Sequence, residues 1–220
     1  MSRKTLLLVL AVAAAILAGC ARLHTVKIDA ISRGITQGNA YVLQPPPGVE
    51  QSDLHFQTYS AYVKQALAMQ GFRGAKSLED ADLAIRMACG LGDPREKVST
   101  WTEPVYSQPG YKDVSGYVNG QYVEAQVYQE KEVVGHRRHV DVNTVCTKSL
   151  TLSAHDAANP AVQLWKVVVT TSGRSQDLRK IMPYLAAGAT HYIGIGTPGL
   201  VKESLSKNDP IVQRMQETSP

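Results

Sequence analysis

Between residues 53 and 90 the chain reads DLHFQTYSAYVKQALAMQGFRGAKSLEDADLAIRMACG, and a change of rhythm inside this stretch sets the fold class. Phe56, Tyr59, Val63, Ala66 and Leu67 recur at i, i+3, i+7, i+10 and i+11, which is one apolar stripe of an α-helix. Ser52 or Asp53 supplies the N-cap and Gly71 the C′ residue, while Lys64, Gln65 and Gln70 fall on the solvated side. After the acidic turn Glu79-Asp80 the period drops to two. Leu83, Ile85, Met87 and Cys89 share one parity, which predicts a strand over residues 82–90.

Working outward, alternation predicts strands at Val26–Ala30 and Ala40–Leu43, the second stopped by Pro45-Pro46-Pro47-Gly48. A long strand is expected from Arg137 to Ala154, with Val140, Val142, Leu150 and Leu152 in phase. Another runs from Leu164 to Thr171, with Trp165, Val167 and Val169 on one face. Asp177 opens a second helical pattern through Leu178, Ile181, Met182, Leu185 and Ala186. Pro183 inside that pattern makes the helix start late or kink. The tail passes through Tyr192–Thr197 and Gly199–Leu205 as a last strand, and Asp209-Pro210 reads as N-cap and N1 of a final short helix. Strands and helices are not regularly interleaved. The expected class is therefore α+β, a two-layer sandwich with a mainly antiparallel or mixed sheet, two helices on one face and a long projecting β-hairpin.

That hairpin comes from residues 91–136. The segment holds Tyr106, Tyr111, Tyr117, Tyr122 and Tyr128, half of the ten tyrosines, together with Pro94, Pro104 and Pro109. Asn119-Gly120, between Tyr117-Val118 and Gln121-Tyr122-Val123, is a strong two-residue hairpin signal. A tyrosine ring offers a flat apolar face with a polar tip, so these five are candidate partner-binding residues. The alternative is that they satisfy strand propensity and cover the sheet.

The first twenty residues carry the clearest functional signal. Ser2-Arg3-Lys4 is a short positive region, Thr5–Leu17 is an apolar run, and Ala18-Gly19-Cys20 closes it. Leu17-Ala18-Gly19-Cys20 resembles the bacterial lipobox, in which the bond between Gly19 and Cys20 is cleaved and the Cys20 thiol takes up a diacylglyceryl group. The alternative, an uncleaved span, would have to use the 17 uncharged residues from Thr5 to Ala21, the bottom edge of what crosses a bilayer. The expected organisation is thus a signal peptide at 1–19, one periplasmic domain at 20–215 with 91–136 inserted, and a tail at 216–220. The membrane is then a partner through acyl chains on Cys20, which hold stably once two or more are attached. Ala21 stands where an aspartate would resemble an inner-membrane retention signal, so the outer membrane, facing the periplasm, is expected.

Other chemistry is sparse. Loss of Arg3 and Lys4 with the leader lowers the formal charge from +4 to +2, too little and too scattered for nucleic acid. Cys89 and Cys146 both fall on apolar parities in an oxidising compartment, so they are either a disulfide or two buried thiols. No CxxC or paired Cys-His spacing suggests a metal, and no cofactor is expected. Gly194-Ile195-Gly196-Thr197-Pro198-Gly199 matches G-x-G-x-x-G, but with 21 residues after it no βαβ unit can follow, and it reads as a glycine-rich turn. In an extended strand His136 and His139 point to opposite faces. His155-Asp156 and Asp141 could be sketched into a hydrolytic set, but no G-x-S-x-G elbow accompanies them.

The mature part is similar to bacterial lipoproteins carrying domain of unknown function 4136. The likeness rests on an order of landmarks across residues 24–215. These are Gln65-Ala66-Leu67-Ala68-Met69-Gln70-Gly71-Phe72, Ala81-Asp82-Leu83-Ala84-Ile85, then Gly90 and Gly92-Asp93-Pro94. After a variable insert come Ser149–Asp156, Leu164-Trp165-Lys166, Asp177-Leu178-Arg179 and Met182-Pro183-Tyr184-Leu185. Cys146 and Lys148 depart from the pattern, where an aromatic or arginine-rich approach to the strand is usual. The resemblance implies an envelope α+β domain and transfers no catalytic residue. The expected role is a non-enzymatic binding or structural module that contacts an envelope protein, peptidoglycan or lipid. An envelope hydrolase is the alternative.

Overall fold

The computed structural model of the chain describes residues 23–34 and 38–217. Ten strands and three helices appear among them: β1 (His24–Ser32), β2 (Ala40–Gln44), α1 (Leu54–Met69), β3 (Arg73–Gly74), β4 (Leu83–Leu91), β5 (Arg95–Tyr106), β6 (Gly110–Val118), β7 (Gln121–Gln129), β8 (Val133–Asp156), β9 (Gln163–Gly173), α2 (Met182–Thr190), β10 (Val201–Leu205) and α3 (Pro210–Glu217). The chain divides into two compact units, residues 95–144 and the remainder. The division falls somewhat later than the insert boundaries read at 91 and 136, because the start of β8 pairs with β5.

In the larger unit the sheet runs in the order β10-β1-β9-β8-β4-β2-β3. Pairing is antiparallel from β10 through β4, and parallel between β4, β2 and β3. The parallel pair β2 and β4 requires a crossover, and α1 supplies it. Fold class is α+β with a mixed sheet, as the periodicities predict. Every second residue of the central strands is buried: Val26, Ile28 and Ala30 on β1, Trp165, Val167 and Val169 on β9, Leu150, Leu152 and Ala154 on β8, Leu83, Ile85 and Met87 on β4. Helices cover that face.

Helix α1 follows its sequence signals closely. The Asp53 carboxylate accepts from the Phe56 N–H at 2.8 Å, which satisfies one of the unpaired donors of the first turn. At the other end Phe72 N donates to Leu67 O and Gly71 N to Ala68 O, the paired bonds of a Schellman motif, with Gly71 at φ +83°. Helix α2 begins only at Met182. An earlier start would drive the Pro183 ring into the carbonyl of residue 179, so residues 178–181 form a turn instead. All nine residues of α2 are buried. A Cβ on Gly188 would lie 3.0 Å from Val26 Cγ2, so glycine lets this helix rest on β1 and β9. The final short helix expected at Asp209-Pro210 forms as α3 and packs with the other two. The Asp209 carboxylate accepts from Ile211 N at 2.9 Å, and α3 buries Val212 and Met215.

The last strand is shorter than the tail pattern suggests. Residues 194–199 turn instead. Thr197 N donates to Ala30 O at 2.8 Å and Thr197 Oγ1 accepts from Ala30 N at 3.1 Å, so the glycine-rich stretch finishes the edge of β1 beyond its pairing with β10. On β10, Glu203 accepts from the Tyr192 hydroxyl at 2.7 Å, and this bond holds the phenol proton so that its pKa is pushed up to about 12.

The core and the 95–144 unit should respond differently to truncation. Leu152→Ala removes fully buried methyl groups and should lower stability by about 2–5 kcal/mol. Val123→Ala, on the exposed hairpin, should change it by less than about 0.5 kcal/mol. Urea unfolding followed by far-UV circular dichroism compares the two, and equal losses would contradict this division of the core.

Candidate functional site

Cys20, Gly19 and the leader lie outside the described residues. The remaining candidates fall into two places, the 95–144 unit and a cleft in the larger unit.

In the 95–144 unit, β6 and β7 form a two-stranded antiparallel sheet closed by Asn119 at φ 51° and Gly120 at φ +80°. Positive φ at both central positions is what the tight, strand-matched hairpin turn demands. The register puts Tyr111 opposite Tyr128 and Tyr117 opposite Tyr122, all on one face. Each pair meets edge to face, with centroids 5.3 and 5.4 Å apart. Between them Gln126 Nε2 donates to Asp113 at 2.9 Å. The other face carries Val114 opposite Ala125, Val127 opposite Lys112, Val123 opposite Gly116 and Val118 opposite Gln121, so it is valine-rich with polar residues at its ends. At the neck Ser107 N donates to Glu132 O and Glu132 N to Ser107 Oγ, so both ends of the hairpin meet. Tyr106 lies there under the Lys131 ammonium, 4.4 Å from the ring centre. No residue from 95 to 144 is buried.

The histidines behave as extended chain requires. His139 stacks on Trp101 at 4.1 Å and meets Glu103 at 3.1 Å, while His136, of opposite parity, is exposed. His155 Nδ1 lies 2.9 Å from the Pro160 carbonyl, and the Asp156 carboxylate accepts from Ala158 N, so both serve the turn after β8. Among the described residues no group of three histidine, cysteine or acidic side chains could hold a metal ion.

Cys89 and Cys146 are free, which corrects the disulfide alternative. Both do share the helix-covered face. However, Cys89 pairs in register with Leu150, four residues along β8 from Cys146. At about 3.3 Å per residue that offset is roughly 13 Å, well beyond a disulfide's reach. Burial pushes the Cys89 thiol up, and the nearby Asp53 charge adds to the shift, so it is a poor nucleophile near neutral pH.

The cleft was not legible in the sequence. It encloses about 780 Å³ where the start of β1, the end of β9, the 174–181 turn and the first turn of α2 meet. Lys148, Arg174, Arg179 and Lys180 line it, with Thr171, Ser172 and Ser175 between them. Tyr62, Tyr184, Ile181 and Pro183 make the apolar wall, and His24 stacks on Tyr184 at 4.1 Å. Among the described residues no aspartate or glutamate lines it. Lys148 sits on the core face of β8 at 1% exposure, in phase with Leu150 and Leu152.

No family model matches the chain, and no curated protein does. Matching solved structures include a PDZ domain protein from Parabacteroides distasonis, 8% identical over 89% of this chain with a TM-score of 0.42. The chain spans 42% of that protein's length. The PelC dodecamer from Paraburkholderia phytofirmans is 15% identical over 78% of this chain and 99% of its own, with a TM-score of 0.39. A single-substitution variant of that PelC, in another crystal form, gives 15%, 77%, 95% and 0.36.

With Cys89 and Cys146 unpaired, alkylation of the denatured chain should label both without prior reduction, and reduction should leave the intact mass unchanged. A gain of two hydrogens on reduction would show a bond.

Proposed function

We propose that the chain is a lipid-tethered, non-enzymatic binding module of the bacterial envelope, anchored through Cys20 to the periplasmic face of the outer membrane. The tether rests on Leu17-Ala18-Gly19-Cys20 after a short basic region and an apolar run. The likeness to lipoproteins carrying domain of unknown function 4136 supports the same setting. No helix among the described residues is long and apolar enough to cross a membrane.

One observation carries the binding role. The β6–β7 hairpin presents four exposed tyrosines on one face and four exposed valines, Val114, Val118, Val123 and Val127, on the other, without a core of its own, with Tyr111 72% and Tyr117 76% exposed. A lone two-stranded ribbon is marginal in water, and its outer edges carry unpaired backbone donors and acceptors. Of the partners open to an envelope protein, another polypeptide answers both features. Only a peptide chain continues a backbone ladder, and its side chains can cover the valine face. Tyrosine adds contact area at a small cost in ordering.

Two changes test this reading. Cys20→Ser should release the chain from membranes, and globomycin should make the precursor accumulate. Replacing residues 108–131 by Asn-Gly exploits the neck at Ser107 and Glu132, so the rest should fold unchanged by circular dichroism. A photocrosslinker at position 117 should give a discrete protein adduct in cells. Crosslinks to lipid or peptidoglycan alone, or a shortened chain that supports the same phenotype as the full one, would refute a protein partner at the hairpin.

A further inference from the structure

Lys148 occupies a position where the strand's period requires an apolar residue, and it is as buried as the leucines beside it. Its Nζ donates to Gly173 O at 2.9 Å and to Cys146 O at 3.3 Å. An ammonium has three donors, so one remains for the cleft that Lys148 lines. Carbonyl dipoles solvate the charge without neutralising it. Among the described residues no carboxylate comes within ion-pair distance of Lys148; the two ion pairs are His139–Glu103 and Lys180–Asp177. A charge taken out of water without a counter-charge is strongly unfavourable, so the site calls for an anion from outside the chain.

The lining supplies what such an anion needs. Arg174 and Lys180 stand at the exposed mouth, Lys180 at 3.4 Å from Asp177, and Arg179 is shared with the Tyr59 hydroxyl. A guanidinium fork matches the oxygens of phosphate. With Lys180 paired to Asp177, the three cations Lys148, Arg174 and Arg179 remain without an ion-pair partner among the described residues, which favours a dianion over a monoanion. The α2 N-terminus at Pro183 and Tyr184 adds the positive end of its dipole. The volume suits a small organic molecule, and the Tyr62, Tyr184 and Ile181 wall gives its body an apolar surface.

We propose that the Lys148 cleft binds a phosphomonoester, with the phosphoryl oxygens on Lys148 Nζ and the Arg174 side and the organic part against Tyr62 and Tyr184. This site is independent of the hairpin, so either reading can fail alone. The same phosphomonoester chemistry occurs on free metabolites and on a lipid headgroup, and the test separates the two.

Isothermal titration calorimetry of the full-length chain in detergent should use three probes: glycerol 3-phosphate, dihexanoyl phosphatidic acid below its micelle concentration, and acetate. One equivalent of a phosphomonoester should bind. Uptake of glycerol 3-phosphate assigns the site to free esters; uptake of the phosphatidic acid alone assigns it to a lipid headgroup. Lys148→Met should weaken binding about 10- to 100-fold, the loss expected for one charge-assisted bond. It should also unfold at or above the wild-type temperature without ligand, because it removes an uncompensated buried charge. Arg174→Ala with Lys180→Ala, both at exposed positions, should weaken binding at least about tenfold and carries the test if Lys148→Met misfolds. Absence of heat with both phosphomonoesters, acetate binding equally well, or folded variants with wild-type affinity would overturn the proposal.

Discussion

Side chains along a β-strand alternate strictly between two faces, and in the larger unit one of those faces must be covered. Four antiparallel strands, β1, β9, β8 and β4, present Val26, Ile28, Val167, Val169, Leu150, Leu152, Ile85 and Met87 in register on that face. This continuous apolar surface needs a lid of helices, and the details of the lid follow from it. The second half of helix α2, Ala186 to Thr190, is made of small residues where it lies between the sheet and the other helices, and a Cβ added at Gly188 would lie 3.0 Å from Val26. Asp53, Gly71 and Asp209 then only set where the flanking helices start and stop.

The same alternation makes Lys148 informative. A lysine at that parity cannot turn outward without moving the whole strand out of register, since a one-residue slip reverses every side chain. The strand therefore carries a cation into the edge of the core, and the nearby turn at 174–181 and the α2 N-terminus bring further positive charge to the same place. A buried charge is poor for stability, and here it coincides with a concavity and an unbalanced set of cations. Stability and binding thus pull in opposite directions at one residue.

The 95–144 unit obeys another constraint. Its ribbons satisfy backbone hydrogen bonds locally, but with two strands neither face can be buried by the unit itself. Tyrosine and valine meet strand propensity there while leaving large apolar areas in water. Cross-strand pairs such as Tyr111–Tyr128 and the neck at Ser107 and Glu132 hold the ribbon's shape. Such a surface gains most when a partner covers it.

Much of the architecture was readable from residue order because its causes are local. Period 3.6 in residues 54–69, period 2 in β1, β4, β8 and β9, the Asn119-Gly120 turn, the late start at Pro183 and the Asp209-Pro210 cap each act within a few residues of chain. What lay beyond reach depends on register and on closure between distant segments. The offset that separates Cys89 from Cys146 is set by β4 pairing with β8, and parity alone could not give it. The two-residue strand β3 has no pattern and exists only because β2 offers it an edge. The cleft gathers Leu23, Tyr62, Lys148, Arg174 and Tyr184 from five separate segments, so its charge and volume arise only once the sheet and helices have closed on one another.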